Sequence, residues 1–510
     1  MTEGSFNENV VKQFKKNKLA KAGGYVILFL FFIAIFAPLL ANNKPIFIYA
    51  SLKQKYEKKY NNVKFLLQSM YVKSSKLKTE KDKKILKNAL ATLLNTTHSM
   101  KNLIVKKEQA NFTKLKNRIK TGFQNILLKT EKQNIKPARA AGINFTKRFH
   151  PKKIKLSKKF YMPAIAALSW LDIFFMSIFI LTCFYRKIKK LVELTISKSK
   201  IFTRDAKAVL IISFILIPAI LFSFIWGVSG SKVTDNFNYK AALKDLDSSD
   251  FYMMPLVPYG ENENILEHSR EAPTWLLSSK IKKQRKYWHW LGTDTNGRDV
   301  LARIIYGSRI SMSVGFVAVS IYVLIGIILG SIAGYYRGWV DILISRFIEI
   351  MMTFPVFFLI LIVLAMLKPS IMNIMVVIGV TGWTGIARLT RGEFLKLVGR
   401  DFVIAAKALG AKSGRIIFKH ILPNALGPVL VAATFGVAGA ILTESALSFL
   451  GFGVPQPTAS WGDILNNGRN SIHATWWLTI FPGFMIFLTI TAYNLVGEGI
   501  RDAMDPRLKK

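Results

Sequence analysis

The chain has 510 residues, of which 51% are hydrophobic, and it nevertheless carries a formal net charge of +43. A soluble globular protein rarely combines these features, because apolar segments must be buried while charges stay hydrated. Its single cysteine, Cys183, excludes an intrachain disulfide and a cysteine-based metal cluster, and the sequence contains no Gly-Lys-Ser or Gly-Lys-Thr tripeptide that could form a P-loop.

Long apolar runs predict membrane helices, because about 20 residues cross the hydrocarbon core. We predict eight spans, at roughly 24–41, 162–184, 208–227, 311–335, 348–367, 371–387, 427–449 and 477–496. The first run is long for the apolar region of a signal peptide, so we expect an uncleaved helix there. The predicted fold class is therefore an all-α polytopic membrane protein.

The basic residues concentrate after the first span. Residues 42–161 hold 28 lysines and three arginines against five acidic residues, a net charge of +26. Leucines such as Leu86, Leu90 and Leu93 recur among the lysines at helical spacing, so the segment is predicted to be helical. Its candidate partners are anionic lipid headgroups, an envelope polymer or a solute-binding protein, but not nucleic acid. The simplest alternative is a solvated insertion under little constraint.

Lysine and arginine counts in short loops predict the orientation. Residues 1–23 carry five lysines, and 186–207 and 388–426 carry eight basic residues each, whereas 450–476 carries only Arg469. Cytoplasmic loops carry the excess of positive charge, so both termini are predicted to be cytoplasmic. The long basic segment then lies outside, which the rule tolerates because it is weak for loops beyond about 60 residues.

Spans two and three form a hairpin whose insertion leaves every later loop on its original side. We therefore predict a six-span core with a two-span insertion. The expected segments are a cytoplasmic N-terminus and first helix (1–42), the lysine-rich insertion (43–227), an extracytoplasmic segment (228–302) and a transmembrane domain (303–510) with a cytoplasmic loop at 388–426.

The loop at 388–426 carries the most informative motif. Good helix formers run from Phe402 to Leu409, Gly410 interrupts them, and a second amphipathic piece runs to Leu422, where Pro423 is expected to stop it. A compact helical knob of this kind suits docking into a groove on a partner protein. The alternative is an amphipathic hairpin that rests on lipid headgroups.

The pattern of Ala405-Ala406, Gly410 and Ile421-Leu422-Pro423 resembles the EAA loop of binding-protein-dependent ABC importer permeases. In that family the loop is the coupling element that fits a cleft on the ATPase subunit. Ile404 stands at the place of the motif's glutamate, so any salt bridge of that glutamate is absent here. The resemblance assigns ATPase coupling to Ala405, Ala406, Ala408, Leu409, Gly410, Ala411, Ile421, Leu422 and Pro423.

Three further stretches, 290–311 (WLGTDTNGRDVLARIIYGSRIS), 444–462 (ESALSFLGFGVPQPTASWG) and 502–507 (DAMDPR), narrow the resemblance. They resemble the second, or "C", permease subunit of oligopeptide, dipeptide and nickel importers. The likeness covers the first span and about 288–510.

The resemblance implies a noncatalytic subunit without a cofactor in the bacterial cytoplasmic (inner) membrane. Its implied partners are membrane lipid, a homologous second permease, two ATP-binding subunits and an extracytoplasmic peptide-binding protein. The alternatives are an importer of nickel or another small solute, an envelope-binding protein that uses the basic insertion, and a secondary transporter. The last would need charged residues near the midplane and paired broken helices.

Several single residues are further candidates. Glu444, an acid inside a predicted span, is expected either in the substrate path or in a capping or interhelical hydrogen bond near the water boundary. Asp294, Arg298, Asp299 and Trp461 are expected in a platform for the binding protein, or as a helix cap and an aromatic anchor. Glu349 is expected to pair with Arg346. The six histidines show no metal-ligand spacing, so no metal site is predicted.

Overall fold

The computed structural model describes residues 13–50, 53–74, 80–128, 135–151, 154, 156, 158–185, 187–190, 204–229, 238–243, 250–284 and 286–504. Residues 1–12, most of the basic loop at 186–207 and the end of the C-terminal motif at 505–507 therefore lie outside the described residues. The chain divides into two compact units. We call Met1–Asn42, Ser169–Val228 and Leu256–Lys510 the membrane unit, and Asn43–Leu168 and Ser229–Pro255 the basic unit.

The longer helices are α1 (Lys18–Leu40), α2 (Lys53–Ser74), α3 (Glu80–Lys101), α4 (Lys106–Leu128), α5 (Ile135–Arg148), α6 (Trp170–Cys183), α7 (Arg204–Ser229), α8 (Val300–Tyr336), α9 (Gly338–Thr353), α10 (Val356–Met366), α11 (Ile371–Thr381), α12 (Trp383–Leu397), α13 (Asp401–Ala408), α14 (Leu422–Phe449), α15 (Trp461–Gly468) and α16 (Trp477–Met504). The strands are β1 (Phe47–Ala50), β2 (Lys159–Tyr161) and β3 (Phe251–Met253). Short helical turns lie at Pro163–Ala166, Tyr239–Ala242, Leu266–His268, Thr274–Leu276, Ser279–Gln284, Ser413–Arg415, Ile416–Ile421 and Arg469–Ser471.

The predicted helical, polytopic fold class is confirmed. Among the described residues, the helices that are long and apolar enough to cross a membrane are Lys18–Leu40, Val209–Val228, Val300–Tyr336, Ile371–Leu397, Ser413–Phe449 and Trp477–Met504. The span predicted at 348–367 is instead a bent helix pair, and the span predicted at 162–184 contains the 14-residue apolar helix α6. The number of eight spans therefore stays a prediction.

Helix α8 is the central element of the membrane unit and contacts α1, α9, α11, α12, α14 and α15. Its 37 residues span about 55 Å at 1.5 Å per residue, well beyond the roughly 30 Å of a hydrocarbon core. The helix begins 11 residues before the predicted span at 311–335. Arg303 and Arg309 shorten the apolar run in the sequence, but they do not interrupt the helix.

Glycines bring α8 into close contact with α12. A Cβ atom at Gly330 would lie 2.5 Å from the carbonyl oxygen of Ala387, and one at Gly334 would lie 2.5 Å from the Cβ atom of Phe394. Small residues at this spacing let membrane helices approach backbone to backbone. The contact joins α8 to the helix that leads into the loop at 388–426.

A bend of 80° separates α9 from α10. Phe354 is extended there, with φ −83° and ψ 131°, because the residue before a proline avoids the helical region and Pro355 has no amide hydrogen to continue the ladder. Arg391 of α12 donates hydrogen bonds to both carboxylate oxygens of Asp341 on α9. The ion pair predicted between Arg346 and Glu349 is present at 2.7 Å.

The basic unit is a folded helical bundle. Helices α2 to α5 pack in consecutive pairs, and α5 packs back on α2. The hydroxyl of Tyr56 donates to the carbonyl of Phe149 at 2.8 Å, and the hydroxyl of Tyr60 donates to that of Thr146 at 2.7 Å. The buried core includes Tyr56, Leu67, Leu86, Phe112, Phe123 and Phe145. The lysine-rich segment is thus helical, as expected, and also has a core that a merely solvated insertion would lack.

A small antiparallel sheet with the strand order β2-β1-β3 completes the basic unit. Ile48 of β1 pairs with Tyr161 on one side and with Tyr252 on the other. Aromatic and β-branched residues favour strands, but segments of three or four residues are too short to show a periodic pattern. The sheet was therefore not predicted.

Candidate functional site

The loop at 388–426 forms a compact knob, which we define as residues 398–421. Helix α13 ends at Ala408, and Gly410, two residues later, has a φ of +75° in the left-handed region. The amide of Gly410 donates to the carbonyl of Lys407 at 2.9 Å, and the amide of Ala411 donates to that of Ala406 at 3.0 Å. This hydrogen-bond pair is the Schellman pattern that glycine favours after a helix. The chain therefore turns sharply between the two helical pieces of the knob.

The second piece of the knob does not stop at Pro423, so that prediction is wrong. Residues Ile416–Ile421 form a π-helical turn, and the amide of Leu422 donates to the carbonyl of Ile417. Pro423 then occupies the first turn of α14, where its missing amide hydrogen costs little. The wider turn admits the proline, and the helical path continues into the membrane as Ser413–Phe449.

The knob has a small buried core and an exposed apolar tip. Its core is formed by Val398, Val403, Ala406, Ile416, Ile417 and Ile421, together with Phe394 of α12 and Ala425 of α14. Ala405, Ala408 and Gly410 are exposed, Ala411 and Leu422 are half-buried, and Leu409 at the tip is 88% exposed. Phe418 is 68% exposed and Ile404 is 55% exposed. An exposed apolar surface of this kind on a rigid support is typical of a docking site.

The knob packs on the C-terminal end of α8. Tyr335 packs against its core, and the Lys407 ammonium lies 5.4 Å from the centre of the Tyr335 ring. Together with the glycine contact between α8 and α12, this arrangement joins the knob to the transmembrane helices. The knob is therefore in direct contact with α8 through Tyr335 and with α12 through Phe394.

A buried charge network lies at the opposite, N-terminal end of α8. Arg303 is completely buried, and its Nη2 atom donates to Oδ2 of Asp463 at 2.7 Å. Its Nε atom lies 3.7 Å from Oδ2 of Asp294, and that carboxylate also accepts from Nε of Arg298 at 2.6 Å. Buried charges are tolerated only when they are paired. The network therefore fastens the segment before α8 and helix α15 to α8.

Comparisons with known proteins decide the family. A family model described as "Binding-protein-dependent transport system inner membrane component" matches residues 326–510, and one described as "N-terminal TM domain of oligopeptide transport permease C" matches residues 5–62. The dipeptide transport system permease protein DppC of Alkalihalophilus pseudofirmus is 46% identical over 221 residues, which cover 43% of this chain and 73% of that protein. The chain belongs to this permease family. The predicted resemblance to the second permease of peptide importers is confirmed.

Other relatives of the permease have related names. The oligopeptide transport system permease protein OppC of Haemophilus influenzae is 43% identical over 46% of this chain and 76% of that protein. The glutathione transport system permease protein GsiD of Pectobacterium atrosepticum is 36% identical over 51% of this chain and 82% of that protein. An inward-facing structure of the methionine ABC transporter MetNI is weakly similar, with a TM-score of 0.32 and 16% identity over 38% of this chain and 95% of that chain. The inner-membrane description of the matched family and the long apolar helices make the permease an integral inner-membrane protein.

The four residues predicted for a binding-protein platform lie beneath the surface of the permease. Asp294, Arg298, Asp299 and Trp461 are all buried. The Asp299 carboxylate caps α8 by accepting from the amide of Ala302 at 2.7 Å. The indole of Trp461 donates to the carbonyl of Ile304 at 3.1 Å. These side chains therefore support the surface from inside and do not form it.

Glu444 lies on α14 and is completely buried. Its carboxylate accepts hydrogen bonds from Ser448 at 2.8 Å, Ser311 at 3.3 Å and Ser445 at 3.4 Å. The Ser311 hydroxyl oxygen in turn accepts from the amide of Trp461 at 3.4 Å. The acid therefore lies at the centre of an interhelical hydrogen-bond cluster that joins α8, α14 and α15.

An apolar groove of about 440 Å³ runs beside this cluster in the membrane unit. Thr443 lines it, whereas its neighbour Glu444 does not. The lining is rich in small residues, with Gly382, Gly385, Gly436 and Gly439 among aliphatic side chains. Such a surface permits the close approach of another helix.

The sequence pattern did not reveal the partners of several buried charged residues of the permease. Arg303 and Asp463 are 160 positions apart, and only the fold brings them together. A charged residue inside an apolar helix was the available signal for Arg303. Glu261 lies close by, where burial raises the pKa of its carboxyl against the opposing effect of Arg303 and Arg309. Asp172 of α6 pairs with Arg309 and also caps its own helix through Ser169.

Proposed function

We propose that this chain is one of two permease subunits of an ATP-driven importer that moves peptides across the bacterial cytoplasmic membrane. The peptide substrate is supported by the names of the relatives, which are dipeptide, oligopeptide and glutathione permeases. The chain performs no covalent chemistry, and separate subunits hydrolyse ATP. Membrane lipid surrounds the spans.

The knob at 398–421 carries this proposal. Its apolar tip at Leu409 projects from a rigid turn at Gly410, and its core fastens it to α8 and α12. A convex apolar tip on a stiff support suits a cleft on an ATP-binding subunit. Closure of two ATP-binding subunits then moves the knob and, through α8 and α12, the helices that line the groove.

The proposed orientation places the knob and both termini in the cytoplasm. The lysine and arginine counts of the short loops support this orientation. The buried charge network at the start of α8 then lies near the outer face, where an extracytoplasmic peptide-binding protein docks. Asp294, Arg298, Asp299 and Trp461 serve that docking by fixing the shape of the surface above them.

The groove beside Thr443 is proposed to face the homologous second permease. Its glycines and open apolar lining fit a helix of a partner subunit, so that the two chains enclose the substrate path between them. Glu444 supports that path by holding α8, α14 and α15 together.

The four sequence segments 1–42, 43–227, 228–302 and 303–510 are proposed as the domain organisation, with 43–227 as an insertion. The bundle of the basic unit has its own core and exposes lysines such as Lys64, Lys87 and Lys120. It is a candidate module for an anionic partner in the envelope. An envelope-binding role for the basic unit does not account for the match of residues 326–510 to the transport family. We therefore favour importer function over that alternative.

Purification in mild detergent tests the proposal. We expect the tagged chain to recover a second permease and one or two ATP-binding proteins in stoichiometric amounts. A matched preparation with residues 398–421 replaced by a glycine-serine linker should retain the second permease and lose the ATP-binding proteins. Recovery of the intact chain alone, or as a homodimer active in transport, would contradict the proposal.

A further inference from the structure

Two histidines and a glutamate converge near the start of α8. One ligand atom each of His268, Glu271 and His289 lies within 4.8 Å of the other two. Nδ1 of His268 and Nε2 of His289 are 3.1 Å apart. The three residues are separated in the sequence by 2 and 17 intervening positions. This spacing matches no metal-binding motif, so the sequence did not reveal the cluster.

The ring of His289 is held in a fixed orientation. Its Nδ1 atom lies 2.8 Å from Oδ2 of the buried Asp299, and the ring stacks on Tyr259 with 4.2 Å between centroids. A carboxylate at one ring nitrogen fixes the proton there and leaves the other nitrogen as an electron-pair donor. Histidines that bind metals usually have such a carboxylate hydrogen-bonded to their other ring nitrogen. Nε2 of His289, which lies 3.1 Å from Nδ1 of His268, is therefore the nitrogen left to bind a metal ion.

The backbone around the cluster is equally well defined. The amide of Glu271 donates to the hydroxyl of Thr293 at 2.8 Å, and the amide of Thr293 donates to the carbonyl of Glu271 at 2.9 Å. The amide of Thr274 donates to the carbonyl of His289 at 2.9 Å. Hydrogen bonds of the backbone at Glu271 and His289 thus hold the ligand-bearing segments in fixed positions. Preorganised ligands of this kind are what a metal site needs.

We propose that His268, Glu271 and His289 bind one divalent transition-metal ion of the zinc type. Two imidazole nitrogens and one carboxylate oxygen are a ligand set that zinc accepts, with a fourth position for water. A tetrahedral zinc site with bonds of 2.0–2.1 Å separates its nitrogen ligands by about 3.3 Å, close to the 3.1 Å between the two histidines. His268 and Glu271 are half-buried, so an ion can reach them from solvent.

The ion would fasten the segment Leu266–Glu271 to the cap of α8, because Asp299 both orients His289 and accepts from the first turn of that helix. The site lies at the end of α8 opposite to the knob. The inference does not depend on the proposed transport function. A hydrogen-bonded histidine pair without metal is the alternative that the experiment must separate.

The test uses the full-length chain, purified in detergent, stripped with chelator and titrated with Zn²⁺ against a chromophoric chelator. We expect one tight ion per chain in the parent protein. His268→Gln and Glu271→Gln should each weaken binding by more than about 100-fold, since loss of a residue that only hydrogen-bonds to a ligand already costs about 10–100-fold. His473→Gln removes an exposed histidine outside the cluster and should leave the affinity unchanged.

Two further measurements complete the test. Co²⁺ should give a visible d–d absorption in the parent and in His473→Gln that His268→Gln lacks. Zn²⁺ should raise the thermal unfolding midpoint of the parent and of His473→Gln only, because an ion that binds the native state stabilises it. The absence of a stoichiometric ion in the parent would overturn the proposal, as would equal affinities in all four proteins.

Discussion

Replacing Gly410 by valine is expected to reduce peptide uptake at least about fivefold while membrane insertion stays normal. The φ of +75° is one that a β-branched residue resists, at a cost of roughly 1–2 kcal/mol, which changes a conformational equilibrium by about 5–30-fold. Among the described residues, no atom outside Gly410 and its two chain neighbours lies within 4 Å of a Cβ placed there, so this part of the chain offers no clash. The loss should therefore arise from a distorted turn and from obstructed docking at the tip. Uptake and recovery of the ATP-binding subunits, at matched expression, measure it.

Two matched variants separate these causes. Gly410→Asn tolerates the left-handed turn better than valine, so it should retain more uptake. Gly414→Ala introduces a Cβ into equally open space without a positive φ, so its effect should be small. If Gly410→Val takes up peptide like the parent, the knob is not the coupling element.

Replacing Arg303 by methionine is expected to destabilise the membrane unit strongly. The side chain is completely buried, and its loss removes the cation that pairs with the buried carboxylate of Asp463 at 2.7 Å. Removing one partner of a buried ion pair typically costs about 3–5 kcal/mol. The thermal unfolding midpoint of the detergent-purified chain should fall by several degrees. The loss of monodisperse protein on heating measures this midpoint.

The same substitution at an exposed pair is the control. Arg346 is 73% exposed in its pair with Glu349, and exposed pairs contribute about 0–1 kcal/mol, so Arg346→Met should barely change the midpoint. The double variant Arg303→Met with Asp463→Leu removes both buried charges and should recover part of the loss. Equal midpoints for Arg303→Met and Arg346→Met would show that the buried network does not stabilise the fold.

Local chemistry explains what could be predicted from the sequence. The turn at Gly410 was predictable because a glycine after a run of helix formers commonly ends the helix in the left-handed conformation. The prediction at Pro423 was wrong because a proline in the first turn of a helix and a proline after a helix are both common. Only the π-helical turn at Ile416–Ile421 distinguishes the two cases.

Long-range contacts explain what could not be predicted. Charged side chains at the start of α8 placed the start of the predicted span at residue 311, yet the helix begins at Val300. The fold tolerates Arg303 in this helix because Asp463, far along the chain, neutralises its charge. Likewise, Asp294 and Trp461 were expected at the outer surface, and the fold buries both. The histidine cluster depends on Asp299 as well as on its ligands, so spacing alone carried no signal.

Crosslinking from the tip of the knob tests the central claim most directly. In a chain with Cys183 replaced by serine, a thiol-linked photoreactive probe is attached at Leu409→Cys and, as a matched control, at Ile472→Cys. Both native side chains are exposed, and they lie towards opposite ends of α8. We expect Leu409→Cys to give a covalent product with an ATP-binding subunit in membranes that contain the assembled importer, and Ile472→Cys to give none. Efficient products with lipid alone from Leu409→Cys, or an ATP-binding subunit captured only from Ile472→Cys, would contradict the account.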